Sequence, residues 1–417
     1  MCEAQQTARY IKRHAEQALA RMSKSFGAVL VTGARQTGKT TLLRQGNFTD
    51  QTYRYVSLDD PIKLQAALNS GGEFFLENKP PVIIDEIQYA PPLFSYIKMI
   101  IDDEQTPGAF LLSGSQQFHL MKNVGESLAG RLAVLSLCGL SQREIKGVNF
   151  YEPFLPEAGY YEGRRKKNTN LDYDEIWRII HRGSMPRLYR DKEIDWEDFW
   201  NSFTRTYLER DVRDLAQVGN EQRFLAFMTS VAARTGAMLN LSSIAQETGI
   251  SVPTVERWLS ILVASNLIFL LRPFHVNVSK RMVHTPKLYF LDTGLAAWLT
   301  QWPSAEVLRN GHMGGAFFET FVIIEILKSY ANQGREAPLY YYRDRDGREI
   351  DLLIWQKGKL YPIEIKKHAN PGIDDIKHFS ALASIANIER GSGGVICMYK
   401  ELASLTAMDK IIPLSWL

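Results

Sequence analysis

Eight consecutive residues, Gly33-Ala34-Arg35-Gln36-Thr37-Gly38-Lys39-Thr40, match the pattern G-x-x-x-x-G-K-[ST]. The chemistry this spacing serves is phosphate binding. Gly33 and Gly38 free the backbone to approach an anion, and successive N–H groups at a helix N-terminus converge on it. In that arrangement Lys39 reaches β- and γ-phosphates, Thr40 offers its hydroxyl to Mg²⁺, and Thr41 caps the phosphate end. A second set closes the apolar run Val82-Ile83-Ile84 with Asp85-Glu86. At the carboxyl end of a strand beside a phosphate loop, Asp85 would hold the Mg²⁺ shell and Glu86 would polarise the attacking water. Taken singly, these are a glycine-rich strand–helix turn and a polar strand exit. Their joint occurrence favours the nucleotide.

A third set lies near the far end of the chain. Glu319 stands in the apolar-rich helical stretch Gly315 to Lys328, with Gly315, Ala316, Val322 and Ile323 at i±3 and i±4, so its face points toward a core. Beyond it, Glu349-Ile350-Asp351 and Glu364-Ile365-Lys366 flank Lys357-Gly358. A two-residue turn at Lys357-Gly358 sets Asp351 opposite Glu364 and Glu349 opposite Lys366, all on one face of a hairpin. Facing carboxylates repel, and a divalent cation reverses that sign. The plainer alternative is a solvated hairpin carrying a Glu349–Lys366 ion pair.

The elements that must position these groups are legible in outline. Ala28 to Thr32 is a β-branched apolar run that reads as a buried parallel strand, and Thr40 to Gln45 opens a helix. Residues 1–25 read as an amphipathic helix. Further strands are expected at Tyr53 to Leu58, at Ala109-Phe110-Leu111-Leu112-Ser113-Gly114-Ser115-Gln116 and at Leu132 to Leu137, with a helix around Leu93 to Ile101. Strands alternating with helices imply a parallel α/β sheet with the nucleotide at its carboxyl edge. Residues 151–175, with the basic run Arg164-Arg165-Lys166-Lys167, read as an exposed loop or linker, and Ile176 to Asp214 as helical with a break at Gly183-Ser184-Met185-Pro186. Leu241 to Glu247, the turn at Thr248-Gly249-Ile250-Ser251, Val252 to Ser265 and the strands Leu267 to Leu271 and Leu288 to Leu291 give a winged helix-turn-helix pattern. Its second helix offers Arg257 as its sole cation, which suits a packing module better than a reader of base edges, while Arg272, Lys280 and Arg281 leave backbone contact open.

The motifs GARQTGKTTLL, VIIDEIQ, FLLSGSQ and GESLAGRLAVLSLCGLSQREI, in that order, resemble one branch of the AAA-type ATPases that carries a C-terminal domain of unknown function. Thr206-Tyr207-Leu208-Glu209-Arg210-Asp211 resembles the matching segment of that branch, which places residues 176–214 as a helical lid. The resemblance implies that Ser115 or Gln116 is a sensor of the γ-phosphate and that Arg131 answers the phosphate charge. The alternative for Arg131 is a surface ion pair. Glu319, Asp351 and Glu364-x-Lys366 look like the acid, Asp and E-x-K elements of PD-(D/E)XK nuclease-like domains. That likeness implies metal ligation by Glu319, Asp351 and Glu364, with Lys366 beside the attacking water. The implied organisation is a P-loop parallel-sheet ATPase domain (1–150), a linker and helical lid (151–235), a winged-helix module (236–300) and an α/β nuclease-like domain (301–417).

Composition bounds the partners. Forty-nine Lys+Arg against 46 Asp+Glu leave +3, so nucleic-acid contact would have to come from local patches. Cys2, Cys138 and Cys397 lack metal-ligand spacing and fit a reducing compartment. There is no apolar run of about 18 residues and no apolar signal core, so the expectation is a cytoplasmic chain without a membrane partner. The expected ligands are ATP and Mg²⁺, with DNA or RNA for the C-terminal domain. A homo-oligomer is the arrangement in which a neighbouring copy supplies Arg131. Three readings compete: an ATPase controlling a nuclease-like domain, an ATP-gated adaptor whose nuclease-like face only binds a partner, and a small-molecule phosphotransferase. No legible substrate pocket supports the last.

Overall fold

Ala28–Thr32 (β1) is buried at every position and becomes the inner strand of a five-stranded sheet. In the computed structural model, which describes residues 10–115, 128–167, 172–212, 221–275, 285–385 and 388–417, β1 pairs in parallel with β4 (Phe110–Gly114) and β5 (Leu132–Ser136). The edge is completed by β3 (Val82–Asp85) and β2 (Arg54–Ser57), in the order β2-β3-β4-β1-β5. Parallel strands need crossover connections, and here α1 (Ala15–Ser23), α2 (Lys39–Gln45), α3 (Pro61–Asn69), α4 (Gly71–Glu77) and α5 (Leu93–Glu104) accompany them. Successive residues of β1 serve opposite faces. Ala28 and Leu30 join a core with Ile84 and Phe94, while Val29 and Val31 join another with Leu19 and Leu42. Such two-sided burial explains the unbroken apolar run in the sequence.

After the short α6 (Gln142–Ile145), a helical region follows: α7 (Ala158–Arg165), α8 (Tyr173–Arg182), α9 (Pro186–Arg190), α10 (Trp196–Tyr207) and α11 (Glu221–Ala232). Gly183, at φ +88°, makes the break between α8 and α9. Next come α12 (Leu241–Thr248), a left-handed Gly249 and α13 (Val252–Ala264), with Ser251 capping Thr254 and Pro253 in the first turn. The strands β6 (Ile268–Leu271) and β7 (Lys287–Phe290) pair antiparallel. Arg272 is exposed, and Lys280 and Arg281 lie outside the described residues.

α14 (Thr293–Leu299), α15 (Ala305–Asn310) and α16 (Gly314–Ala331) lead into a mixed sheet. It contains β8 (Leu339–Arg343), β9 (Glu349–Gln356), β10 (Lys359–Lys366), β11 (Glu389–Arg390), β12 (Gly393–Cys397), β13 (Ala403–Ser404) and β14 (Asp409–Pro413). β10 is antiparallel to β9 and parallel to β12. The hairpin turns at Lys357-Gly358, both at positive φ, and its ladder runs from Lys359↔Gln356 to Ile363↔Leu352. That register, continued one pair, sets Asp351 against Glu364 as the sequence predicted.

Arg165, Lys166 and Lys167 of the basic run are exposed as expected, but the run begins inside a helix. Arg164 lies within α7, is 1% exposed, and donates from its guanidinium to the carbonyls of Ser415 (2.6 Å) and Trp416 (3.2 Å). Those carbonyls need donors once the C-terminal segment is buried, and a planar guanidinium supplies several at once. One apolar core runs from Ala34 through the helical region to Leu417. No helix among the described residues is long and apolar enough to cross a membrane. Trp416→Ala, at 5% exposure inside that core, should lower stability by about 3–5 kcal/mol. Because the core is shared, calorimetry should show the helical region and the C-terminal sheet melting together; an early, separate transition of the C-terminal sheet would refute the shared core.

Candidate functional site

β1 delivers the loop Gly33 to Gly38 to the N-terminus of α2. A Cβ on Gly33 would lie 2.2 Å from the Leu137 carbonyl oxygen, so only glycine fits. Gly38 is the N-cap at φ +91°. Thr37 donates its hydroxyl to the Ala34 carbonyl at 2.9 Å, and the Lys39 ammonium folds back onto the carbonyls of Gly33 (2.9 Å) and Ala34 (2.8 Å). Thr40 donates to Asp85 Oδ2 at 2.8 Å, Tyr55 donates to the same oxygen at 2.9 Å, and Ser113 donates to Oδ1. Asp85 is thus a 6% exposed carboxylate held by hydroxyls at the strand end.

Glu86 follows in the left-handed region, φ 57°, which turns its side chain away from the line of β3. Gln88 donates its amide to Glu86 Oε2. Burial pushes the Glu86 carboxyl above the usual carboxylate range, while the Gln88 hydrogen bond and the Lys39 charge pull it down. The Ser115 and Thr32 hydroxyls, at the carboxyl ends of β4 and β1, are buried without a hydrogen-bond partner among the described residues. Gln116 lies outside those residues. A cleft of about 450 Å³ opens over the loop, lined by Arg35, Lys39, Thr41 and Glu86 on the sheet side and by Arg187 and Arg190 of α9 opposite. Its lysine and Thr40, the latter paired with Asp85 at the end of β3, suit a nucleotide phosphate with Mg²⁺.

Arg131 is not brought to this cleft. It precedes β5, and its carbonyl accepts from Ala28 N at the start of β1, on the amino edge of the sheet. The loop leaves the opposite edge, one strand length away, about 16 Å. Arg131 forms an exposed ion pair with Asp102, the alternative its sequence allowed. Two cations missed in the sequence stand in the cleft instead, Arg187 and Arg190; their signal was a basic helix opening with Pro186 directly after the predicted break.

Arg13 was also missed. Its guanidinium donates to the carbonyls of Thr37 (2.8 Å) and Cys138 (2.7 Å) and pairs with Glu144 at 3.0 Å, the two side chains being 3% and 0% exposed. Burial alone would raise the Glu144 carboxyl; Arg13, His14 and the backbone N–H groups of Ser141 and His14 outweigh it and lower it. Glu144 closes a capping box with Ser141, a pattern visible in Ser141-Gln142-Arg143-Glu144. The same turn donates Gln142 N to Glu325 Oε2 of α16 at 2.8 Å, and Glu325 pairs with Lys328 at 2.9 Å. A buried polar chain therefore runs from the phosphate loop to the helix that bears Glu319.

The C-terminal acids assemble differently from the expected ligand set. Lys366 pairs with Glu364 (2.6 Å) and Asp351 (3.4 Å), and Asp351 Oδ2 also accepts Ile365 N at 2.9 Å. Glu319 instead accepts from Tyr289 (2.6 Å) and Lys287 (3.4 Å) of β7. Glu349 pairs with Lys287 at 2.7 Å and Arg343 at 3.6 Å, not with Lys366. Among the described residues no three His, Cys, Asp or Glu side chains converge to hold a metal ion. The proposed ligands Glu319, Asp351 and Glu364 thus share a face but do not fit a metal as arranged, because ammonium groups already bridge them. Lys287 and Tyr289 were missed because they belong to a distant strand. The readable signal was a lysine opening an otherwise apolar run, Lys287-Leu288-Tyr289-Phe290.

Burial and the Asp351 charge push the Glu364 carboxyl up to about 9, against the pull of Lys366. Glu364 is then protonated in the folded chain and ionised in the unfolded chain between its ordinary value, 4.5, and about 9. The folded state binds more protons there, so stability falls as pH rises through that window. Glu364→Gln removes this loss. Its melting temperature relative to the parent should rise between about pH 5 and about pH 9; a constant difference across that range would refute the assignment.

Three stretches of the chain match families of known proteins. Residues 25–146 match a family described as an AAA domain, residues 173–306 a domain of unknown function (DUF8612), and residues 314–417 another domain of unknown function (DUF4143). Two uncharacterised proteins, from Mycobacterium tuberculosis and Mycobacterium bovis, are each 27% identical over 364 residues, covering 87% of this chain and 75% of the relative. A Walker-type ATPase of Pyrococcus abyssi overlaps 68% of this chain and 94% of its own at 14% identity, with a TM-score of 0.42. A Vibrio cholerae protein overlaps 89% and 88% at 13% identity, with a TM-score of 0.15. The chain thus carries an AAA-type P-loop domain toward its N-terminus and ends in a domain of unknown function with a sheet of its own.

Proposed function

We propose that this chain is a Mg²⁺-dependent ATPase whose nucleotide state is passed to its C-terminal domain. The observation that carries the reading is the Thr40–Asp85 pair beside the Lys39 loop, with Glu86 next in the chain and half-buried. On binding, Lys39 exchanges the Gly33 and Ala34 carbonyls for β- and γ-phosphate oxygens. Thr40 and Asp85 hold the cation, which supplies neutralisation of the charge developing on the phosphates. Glu86 orients and polarises the attacking water, with Gln88 fixing its carboxylate, and its raised proton affinity suits a group that takes up a proton. Ser115 donates toward the γ-phosphate, and Arg187 and Arg190 answer its charge from the lid. Arg131 faces away from its own loop and would serve only a neighbouring copy.

The output is that of a nucleotide-gated adaptor, because the C-terminal acids are already bridged by lysines. A nuclease acting on DNA or RNA is the second reading, favoured by the convergence of Asp351, Glu364 and Lys366. Communication runs through Arg13, Glu144, the Gln142 amide and Glu325.

Lys39→Ala should weaken MgATP binding at least tenfold by calorimetry. Glu86→Gln should bind with the parent affinity and lose about 10²–10⁴-fold in hydrolysis; hydrolysis at the parent rate would discard its role. Glu325→Gln touches no phosphate-loop atom, yet it should change the ATP dissociation constant by about fivefold or more. An unchanged constant in a folded variant would break the proposed route.

A further inference from the structure

We propose that Lys287 is the resident cation of the C-terminal acidic face, an ammonium carried in from β7 that closes the face to divalent ions. The inference deepens the adaptor reading of this face, in which lysines already bridge the acids, and rests on it.

The placement of the lysine is the motivating observation. β7 is buried at all four positions, and Leu288, Tyr289 and Phe290 belong to the large shared core. A lysine in such a strand is stable only if its charge is paired. The Lys287 side chain is 6% exposed, and its ammonium lies 2.7 Å from Glu349 Oε1 and 3.4 Å from Glu319 Oε1. Those acids come from β9 and α16, so three separate stretches of chain meet at one nitrogen. Tyr289, two residues along β7 on the same face, donates to the same Glu319 oxygen.

The two ammonium groups divide the face between them. Lys287 bridges Glu319 and Glu349, and Lys366 bridges Asp351 and Glu364. A divalent ion joining Glu319 to Asp351 would stand beside the Lys287 ammonium, which lies 3.4 Å from Glu319 Oε1. Two cations that close repel, and the lysine already answers part of the charge of the carboxylates without an ion. The face as folded is therefore satisfied from within, and what couples it to the rest of the chain is β7. The segment that follows its partner strand β6 is tied to the C-terminal sheet, since Tyr341 N donates to the Arg272 carbonyl (3.1 Å) and Phe274 N to the Tyr341 carbonyl (2.6 Å).

The test counts Mn²⁺ bound to the full-length, nucleotide-free chain, using the electron paramagnetic resonance signal of free Mn²⁺. The parent should show no binding that depends on Asp351 at millimolar Mn²⁺. Lys287→Met should gain one ion per chain, and Lys287→Met/Asp351→Asn should lose it, which separates this site from Thr40 and Asp85. Because Lys287→Met leaves Glu319 without its ammonium and Glu349 with Arg343 alone, Lys287→Met/Glu349→Gln is measured alongside; it removes one charge of each sign and should fold and gain the same ion. If the parent already binds Mn²⁺ through Asp351, Lys287 is not the resident cation, and the metal reading of the face survives. If neither folded Lys287 variant gains an ion, Lys287 is not what excludes the metal and the proposal fails, while the adaptor reading stands.

Discussion

The ion pair between Arg13 and Glu144 has almost no contact with water, and the arrangement of both candidate sites depends on it. A buried pair of this kind seldom adds stability over well-packed apolar side chains, but losing one partner costs about 3–5 kcal/mol. What it contributes here is position. Arg13 satisfies the Thr37 carbonyl inside the phosphate loop and the Cys138 carbonyl just after β5, while Glu144 accepts from His14 N and Ser141 N. Loop, sheet edge and the α6 turn are thereby held in one hydrogen-bonded unit. The same turn reaches α16 through Glu325, so the nucleotide loop and the C-terminal domain share a buried polar frame as well as an apolar core.

Burial has opposite effects at the two sites. At the phosphate loop, Asp85 is surrounded by the hydroxyl donors of Thr40, Tyr55 and Ser113, none of which carries a charge. At the C-terminal face, the donors are ammonium groups, Lys287 between Glu319 and Glu349 and Lys366 between Asp351 and Glu364. Carboxylates that look alike in sequence are therefore in different electrostatic states. Neighbouring hydroxyls keep a charge available, and neighbouring lysines consume it.

The sequence by itself determined whatever depends on neighbours along the chain. The phosphate loop, the buried strands ending at Thr32 and Asp85, the capping of α13 by Ser251 and the hairpin register opposing Asp351 to Glu364 all follow from local spacing, because turn geometry and side-chain periodicity act over a few residues. Tertiary structure decided which partner each charged group meets. It sent Arg131 to Asp102 instead of the phosphates, buried Arg164 among the last carbonyls, brought Arg187 and Arg190 over the cleft and set Lys287 between Glu319 and Glu349. Those pairings join residues far apart in the chain, and a charge is stabilised by whichever opposite charge the fold carries within about 4 Å, a distance that residue order does not encode.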